Sequence, residues 1–297
     1  MKSLNEMAFY SYRPGAWLRI SGADAATYLQ GQFTNDLRML SESGVYGLWL
    51  NQKGKVLADS FVLKGNASDE FFILSYFSSA AVINQRLESY VIADEVLIEE
   101  KTAEVEGVCL LGTGGGVELV PPSLGILSFG GRRSIEPSTE WIFPKARRAE
   151  VHSSLLALGR RELSSTEMEY QRIEAGIPAV PQDIGPAELP NEGALETSAI
   201  SYTKGCYLGQ EVMARLKSMG QVRRRLLRVA AKTGTISALP APLFVGERKV
   251  GELRSAAPDR AGGFVGLALL SLINLQPDAA LALAPNGPSA LQVLENP

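Results

Sequence analysis

The strongest constraint on the fold is the mixed order of strand-like and helical segments in the first two thirds of the chain. Residues 45–50 and 56–63 are apolar runs joined by a short turn signal, which predicts a β-hairpin. A helical period of apolar residues follows at 79–91. Further strand-like runs occupy residues 16–20, 70–76, 96–98 and 105–111. Strands and single helices in this order predict an α+β fold with antiparallel sheets, not a doubly wound parallel sheet.

The character of the chain changes near residue 222. From there on, short strand signals are separated by glycine and proline, and no clear helical period appears. This pattern predicts a small C-terminal β-barrel. We therefore divide the chain into an α+β region at residues 1–221 and a barrel domain at residues 222–297.

Charge and composition exclude several classes of protein. The net charge of the 297 residues is only −3, so a globally basic nucleic-acid binder is not indicated. The N-terminus carries an acid and no apolar signal region, and no apolar stretch is long enough to cross a bilayer. Two cysteines far apart do not suggest a disulfide framework. We expect a cytoplasmic protein without membrane contact.

The residues that usually bind metals are scarce. The single histidine, His152, is expected to be a surface or capping residue, and Cys109 lies in an apolar run typical of a core strand. With two cysteines and no CxxC motif, one chain is not expected to build a metal site. Residues 112–116 are rich in glycine but lack the Lys-Ser/Thr pair of a phosphate loop, so we expect a turn there.

Four arginines cluster at the start of the predicted barrel: Arg223, Arg224, Arg225 and Arg228. They could bind phosphates, but alternation along a strand would divide their side chains between two faces. We favour a solvated barrel edge, which also discourages aggregation between strands. Direct nucleic-acid binding is therefore the weaker alternative.

The residues around the second cysteine, Cys206, are unusually polar and rich in glycine. Gly205 and Gly209 break the chain on either side of it, and residues 211–217 are predicted to be helical. Cys206 would then lie at or just before a helix N-terminus, where backbone N–H groups and the nearby Lys204 favour a thiolate. A capping turn with an incidental cysteine is the alternative.

This segment, Lys-Gly-Cys-Tyr-Leu-Gly-Gln-Glu at 204–211 followed by Arg215, resembles the signature of the YgfZ-type folate-binding proteins. That family is related to the glycine-cleavage T-protein, an aminomethyltransferase. Matching blocks occur in the family's order and span nearly the whole chain, at residues 20–24, 28–36, 54–59, 172–178 and 250–256.

The resemblance implies a ring of three modules around a folate pocket: two intertwined α+β modules and the barrel. It implies that Glu174 holds the pterin, because one carboxylate can accept hydrogen bonds from the amino group and the neighbouring ring N–H. It also implies that Trp17 offers a flat face to a folate ring, although a core aromatic is an equal alternative. The second aromatic of the family pattern is replaced by Met168.

The functional expectation that follows is a tetrahydrofolate-binding accessory protein. By resemblance it supports assembly or repair of iron–sulfur enzymes, with indirect effects on tRNA modification. A folate-dependent aminomethyltransferase is the alternative, so enzymatic activity is left open. The T-protein carries two consecutive aspartates here and requires the first; this chain has Ala58 and then Asp59. Asp59 could substitute only if the strand register shifted and turned its side chain to the opposite face.

Roles for the individual residues complete the prediction. We expect Cys206 to be the functional thiol, in or beside the folate pocket, with Lys204 favouring its thiolate. Gln210 and Glu211 would fix the turn, and Arg215 would pair with an acid or with the folate glutamate tail. The partners would be iron–sulfur assembly proteins or client enzymes. The complete candidate set for binding folate is Trp17, Glu174, Lys204, Tyr207, Gln210, Glu211 and Arg215.

Overall fold

A computed structural model of the chain describes residues 7–41, 43–112, 125–220, 222–234, 236, 238–273, 275–276 and 279–294. Most of the predicted glycine-rich turn at 112–116 and the first six residues lie outside the described residues. No helix in the described ranges is long and apolar enough to cross a membrane.

The described part of the chain forms strands and α-helices in a mixed order. The strands are β1 (Ala8–Tyr12), β2 (Ala16–Ser21), β3 (Val45–Leu50), β4 (Val56–Lys64), β5 (Glu70–Ser75), β6 (Leu97–Glu100), β7 (Val105–Leu111), β8 (Leu127–Gly130), β9 (Ser138–Pro144), β10 (Arg161–Glu162), β11 (Arg224–Ala231), β12 (Ala241–Val245), β13 (Arg248–Pro258), β14 (Phe264–Ser271), β15 (Ala280–Leu281) and β16 (Leu291–Val293). The α-helices are α1 (Ala25–Gln32), α2 (Ala80–Glu88), α3 (Arg148–Ala157), α4 (Ser165–Glu174) and α5 (Gln210–Met219).

The first sheet has the strand order β3-β4-β5-β2-β6, and all its pairs are antiparallel. The predicted hairpin is present as β3 and β4. Helices α1 and α2 cover one face, where Tyr28, Leu29 and Ile83 pack against the apolar side chains of the strands. The opposite face of this sheet packs against other parts of the molecule.

The second sheet has the order β10-β1-β7-β9-β8. Its strand β1 comes before all strands of the first sheet, and its other strands come after them. The chain therefore contributes to the second sheet, forms the first sheet, and then completes the second. Helix α3 packs on this sheet through Val151 and Leu155. His152 lies in the middle of α3 rather than at its start, and its Nε2 contacts Glu162 Oε2 at 2.9 Å. The predicted α+β fold with two intertwined modules is confirmed.

The third sheet has the order β12-β13-β14-β11-β16-β15 and is built entirely from strands after residue 223. Two hydrogen bonds of 2.9 Å between Phe244 and Ala282 join its two ends, which makes it a nearly closed barrel. The predicted C-terminal barrel is therefore confirmed. The division of the chain into domains at residues 1–221 and 222–297 stays a prediction.

The expectation of a solvated barrel edge at the arginine cluster is wrong. Strand β11 lies between β14 and β16 in the sheet, and β16 pairs with its Val229 and Ala230. Three of its arginines instead meet acids of the α+β region, in the pairs Arg224–Glu192 at 2.7 Å, Arg225–Glu196 at 3.2 Å and Arg228–Glu174 at 3.4 Å. These arginines therefore attach the barrel to the rest of the molecule.

Candidate functional site

Cys206 is exposed, on the loop that leads into α5. The helix begins at Gln210, after Gly209, which has a left-handed φ of 86°. A Cβ atom at Gly209 would lie 3.0 Å from the carbonyl oxygen of Asn51, so glycine lets the loop approach the β3–β4 hairpin closely. Cys206 precedes the helix by a short turn instead of occupying its first position.

Lys204 is almost completely buried, at 5% exposure. Its Nζ donates to three carbonyl oxygens: Gln30 at 2.7 Å, Phe33 at 2.7 Å and Asn35 at 2.9 Å. Burial lowers the pKa of this ammonium to about 8, and the three acceptors favour its charged form. All three N–H groups are directed to the end of α1 and the residues just after it, and the predicted role beside the thiol stays a prediction.

Tyr207 lies on the other side of the cysteine and is also buried. Its ring packs in one apolar cluster with Met213 of α5 and Ile173 of α4. Its hydroxyl has no hydrogen-bond partner within the described residues. Cys206 is thus an exposed residue between two buried ones, and this fixes the position of its backbone.

The polar residues that follow are mostly exposed. The side-chain amide of Gln210 lies 3.5 Å from the carbonyl oxygen of Gly205, and its backbone N–H donates to Tyr207 O at 3.1 Å. Glu211 and Arg215 pair one turn apart on the surface of α5. Arg215 therefore meets an acid, which is one of its two predicted partners.

Glu174 closes α4 and faces the barrel. Both of its carboxylate oxygens lie 3.4 Å from Nη2 of Arg228 on β11. The Glu174 side chain is 28% exposed, so it is accessible at the junction between α4 and the barrel. Its neighbour Ile173 packs in the same apolar cluster as Tyr207, which connects this junction to the Cys206 loop.

Trp17 lies in a different place, between the first and second sheets. Its ring stacks on Phe72 with a centroid separation of 4.7 Å, and both rings border a largely apolar cavity of about 370 Å³. Trp17 shares its apolar cluster with Met168, the residue that replaces the second aromatic of the family pattern. The structure shows no contact that brings Trp17 together with Glu174 or Cys206.

No family model matches the chain, but curated proteins do. The human mitochondrial iron–sulfur cluster assembly factor IBA57 is 28% identical over 277 residues, covering 85% of this chain and 74% of that protein. The tRNA-modifying protein YgfZ of Edwardsiella ictaluri is 30% identical over 230 residues, covering 71% of this chain and 67% of that protein. This chain belongs to the YgfZ/IBA57 family.

A solved structure has a fold similar to that of this chain. The glycine cleavage system aminomethyltransferase T of Bartonella henselae has a TM-score of 0.80 and 17% identity, covering 97% of this chain and 85% of that one. At this level of identity the likeness concerns the fold alone. The YgfZ/IBA57 chain is therefore built on the T-protein architecture.

Strand β4 carries Ala58 and Asp59, the two residues that align with the consecutive aspartates of the T-protein. Its register with β3 shifts between the pairs Leu50–Val56 and Trp49–Ala58, which leaves Leu57 as the extra residue of a bulge. As a result Val56 and Ala58 belong to apolar clusters on opposite faces of the sheet. Ala58 faces the helices, and Asp59 faces the other modules.

Asp59 lies in a buried polar site that the sequence did not reveal. Its carboxylate accepts hydrogen bonds from Tyr46 Oη at 2.9 Å, Ser75 Oγ at 3.1 Å and Ser78 Oγ at 3.0 Å. Ser78 Oγ also lies 3.0 Å from the carbonyl oxygen of Val180, in the segment after α4. Burial raises the pKa of Asp59, so this carboxyl group can hold a proton more tightly than an exposed aspartate.

A second buried network connects the barrel to the α+β modules. Arg172 of α4 donates to Asp183 Oδ2 at 2.7 Å and to Ser255 Oγ at 2.8 Å, and all three side chains are buried. Ser255 in turn donates to Asp183 Oδ1. Residues from α4, from the segment between α4 and α5, and from β13 are therefore fixed against one another next to Glu174.

Proposed function

We propose that this chain is a tetrahydrofolate-binding accessory protein that supports iron–sulfur cluster assembly or repair and, through it, tRNA modification. The names of the relatives support this direction, because one is an iron–sulfur cluster assembly factor and another a tRNA-modifying protein. The observation that carries the proposal is the exposed Cys206 thiol, placed between buried Lys204 and buried Tyr207.

A single thiol suits a role shared with another protein. Thiolate sulfur is the ligand that iron–sulfur clusters use, and a cluster needs more ligands than one cysteine supplies. The other cysteine, Cys109, is fully buried in β7 and cannot reach the same surface. Cys206 would therefore act on, or together with, an iron–sulfur assembly protein or a client enzyme.

Complementation tests this function. The chain is produced in a bacterial strain that lacks its own YgfZ, and the activity of an iron–sulfur enzyme and the nucleoside composition of tRNA are measured. We expect both to move toward the values of the parent strain. A chain that accumulates in folded form and restores neither measurement would contradict the proposal.

Folate binding is the second part of the proposal. Glu174 is accessible at the junction of α4 and the barrel, and its two oxygens match the adjacent donors of a pterin. The contacts of 3.4 Å to Arg228 are long for charged hydrogen bonds, so the carboxylate can exchange this partner for a ligand. Trp17 lies beside another cavity, stacked on Phe72, and this part of the proposal rests on Glu174 alone.

Titration with tetrahydrofolate, followed by tryptophan fluorescence, tests this part. We expect saturable binding that Glu174→Ala weakens by at least about tenfold, because a charged bidentate contact is lost. Glu88→Ala is the matched control, since Glu88 is an exposed acid of α2. Absence of saturable binding, or equal affinity in wild type and Glu174→Ala, would remove folate from the proposal.

Aminomethyl transfer has weaker support. Where the resemblance places the required carboxylate, this chain has Ala58, whose methyl group is completely buried against the helices. Asp59 offers a carboxyl group on the other face, but three hydroxyl groups already hydrogen-bond to it. We therefore propose the accessory function and not the transferase.

A further inference from the structure

A cavity of about 440 Å³ lies between the second sheet and the residues that follow β5. None of the residues expected to hold folate lines it. Its walls combine aromatic rings with guanidinium groups, those of Tyr12, Tyr76, Phe77, Arg13, Arg133 and Arg148. This combination is unlike the apolar cavity beside Trp17.

Arg133 is the buried cation of this cavity, with 5% of the residue exposed. Its guanidinium stacks on two rings, with its central carbon 3.7 Å from the centroid of Tyr76 and 4.1 Å from that of Tyr12. Its Nε lies 3.3 Å from Glu140 but has no hydrogen-bond partner within the described residues. Because the rings cover the faces of the group, further contacts must be made by its edge.

Glu140 explains how this cation is tolerated. The carboxylate is completely buried and accepts from Tyr12 Oη at 2.6 Å and from Tyr76 Oη at 2.9 Å. The tyrosine hydroxyls are therefore committed to Glu140, and only their rings remain as walls. Removing Arg133 would leave Glu140 as an unpaired buried charge.

Two more arginines border the same cavity. The side chains of Arg13 and Arg148 are 73% and 57% exposed, and both approach the buried Glu106, at 3.7 Å and 3.4 Å. These separations are long for charged hydrogen bonds. Three guanidinium groups thus face two carboxylates, and the cavity is left with an excess of positive charge.

We propose that this cavity is a second ligand site, which binds a small phosphorylated aromatic molecule such as a mononucleotide. A terminal phosphate has three oxygens and can accept from guanidinium groups on several elements at once. Arg13, Arg133 and Arg148 come from the turn after β1, the β8–β9 loop and α3. The exposed ring of Phe77 provides a flat surface for the aromatic part.

Calorimetric titration with AMP, adenosine and inorganic phosphate tests the proposal. We expect AMP to bind at least about tenfold more tightly than adenosine, because adenosine lacks the charge-assisted contacts. Arg148→Gln should weaken AMP binding by about threefold to tenfold, since one charged donor is lost. Arg147→Gln is the matched control and should leave it unchanged, because this adjacent arginine pairs with Glu150 and does not line the cavity.

Arg133→Lys tests the buried arginine of the cavity and keeps a positive charge beside Glu140. We expect it to weaken AMP binding by at least about tenfold, because the guanidinium fork is lost. Circular dichroism verifies that each variant is folded. No AMP binding at millimolar concentration, equal binding of adenosine, or equal affinity in Arg148→Gln and wild type would overturn the proposal. Loss of AMP binding in Glu174→Ala would also overturn it, because the site would then belong to the proposed folate pocket.

Discussion

Lys204 and Cys206 are two positions apart, yet their side chains occupy opposite environments. The thiol is exposed, whereas the ammonium is buried against carbonyl oxygens of Gln30, Phe33 and Asn35. The partners of Lys204 are backbone groups about 170 residues earlier in the chain. The sequence marked both residues as unusual, but it could not indicate a contact that depends on main-chain atoms of a distant helix end.

Lys204→Met tests the structural role of this ammonium. We expect the free energy of unfolding to fall by about 2–4 kcal/mol, because charged hydrogen bonds are lost and buried carbonyls are left without donors. Urea denaturation measures the loss. Lys53→Met, at an exposed position of the β3–β4 turn, should change stability by less than about 0.5 kcal/mol. Equal stabilities of the two variants would contradict the role assigned to Lys204.

Asp59 gives a prediction about pH. Burial raises its pKa in the folded state above the ordinary 3.8, so the folded protein binds this proton more tightly than the unfolded chain does. Stability from this group is therefore present at low pH and is lost as the pH rises through the folded-state pKa. The stability of Asp59→Asn relative to wild type should increase with pH above about 4. Urea denaturation at several pH values measures it, and a constant difference would contradict the prediction.

At the scale of elements, most strands with an apolar pattern were predictable, even β4, β7 and β13, which each carry a buried polar residue. The sequence predicted the hairpin of β3 and β4 and most of the barrel. It missed β1 and β9, and β9 begins with Ser138, Thr139 and the buried Glu140 before its apolar residues. Burial of that acid depends on Arg133 and on two tyrosines from other elements. A local pattern does not contain this information.

The start of α5 depends on a glycine that the sequence had marked only as a chain break. Gly209→Ala should destabilise the protein by about 1–2 kcal/mol, because alanine is strained at a φ of 86° and its Cβ would lie 3.0 Å from Asn51 O. Gly205→Ala is the control within the same motif, since a Cβ there meets no atom within 4 Å. Thermal denaturation compares the two, and an equal effect would contradict the close approach of loop and hairpin.

At the scale of the whole molecule, the T-protein-like fold was predictable only through the family resemblance. The residues alone favoured α+β units and a barrel, whereas the way in which the barrel attaches was predicted wrongly. The arginines of β11 were expected to face solvent, but they pair with acids that lie 29 to 54 positions earlier in the chain. Charge complementarity between distant segments is not visible in either segment by itself.

Neighbouring arginines test this attachment. Arg224→Ala should lower the free energy of unfolding by about 1 kcal/mol, because the partly buried Glu192 loses its partner. Arg223→Ala should have an effect below about 0.5 kcal/mol, since Arg223 is exposed and makes no ion pair within the described residues. Urea denaturation gives both values. A larger loss at Arg223 than at Arg224 would show that the barrel is attached differently.

The central claim is that this family member supports iron–sulfur enzymes through the exposed thiol of Cys206. The most direct test is the activity of an iron–sulfur enzyme in a strain without YgfZ that produces Cys206→Ser, Cys206→Ala or Cys109→Ala at equal protein levels. We predict that both Cys206 variants fail to restore activity, whereas Cys109→Ala, which changes only a buried thiol, restores it. Normal activity with both Cys206 variants would contradict the claim.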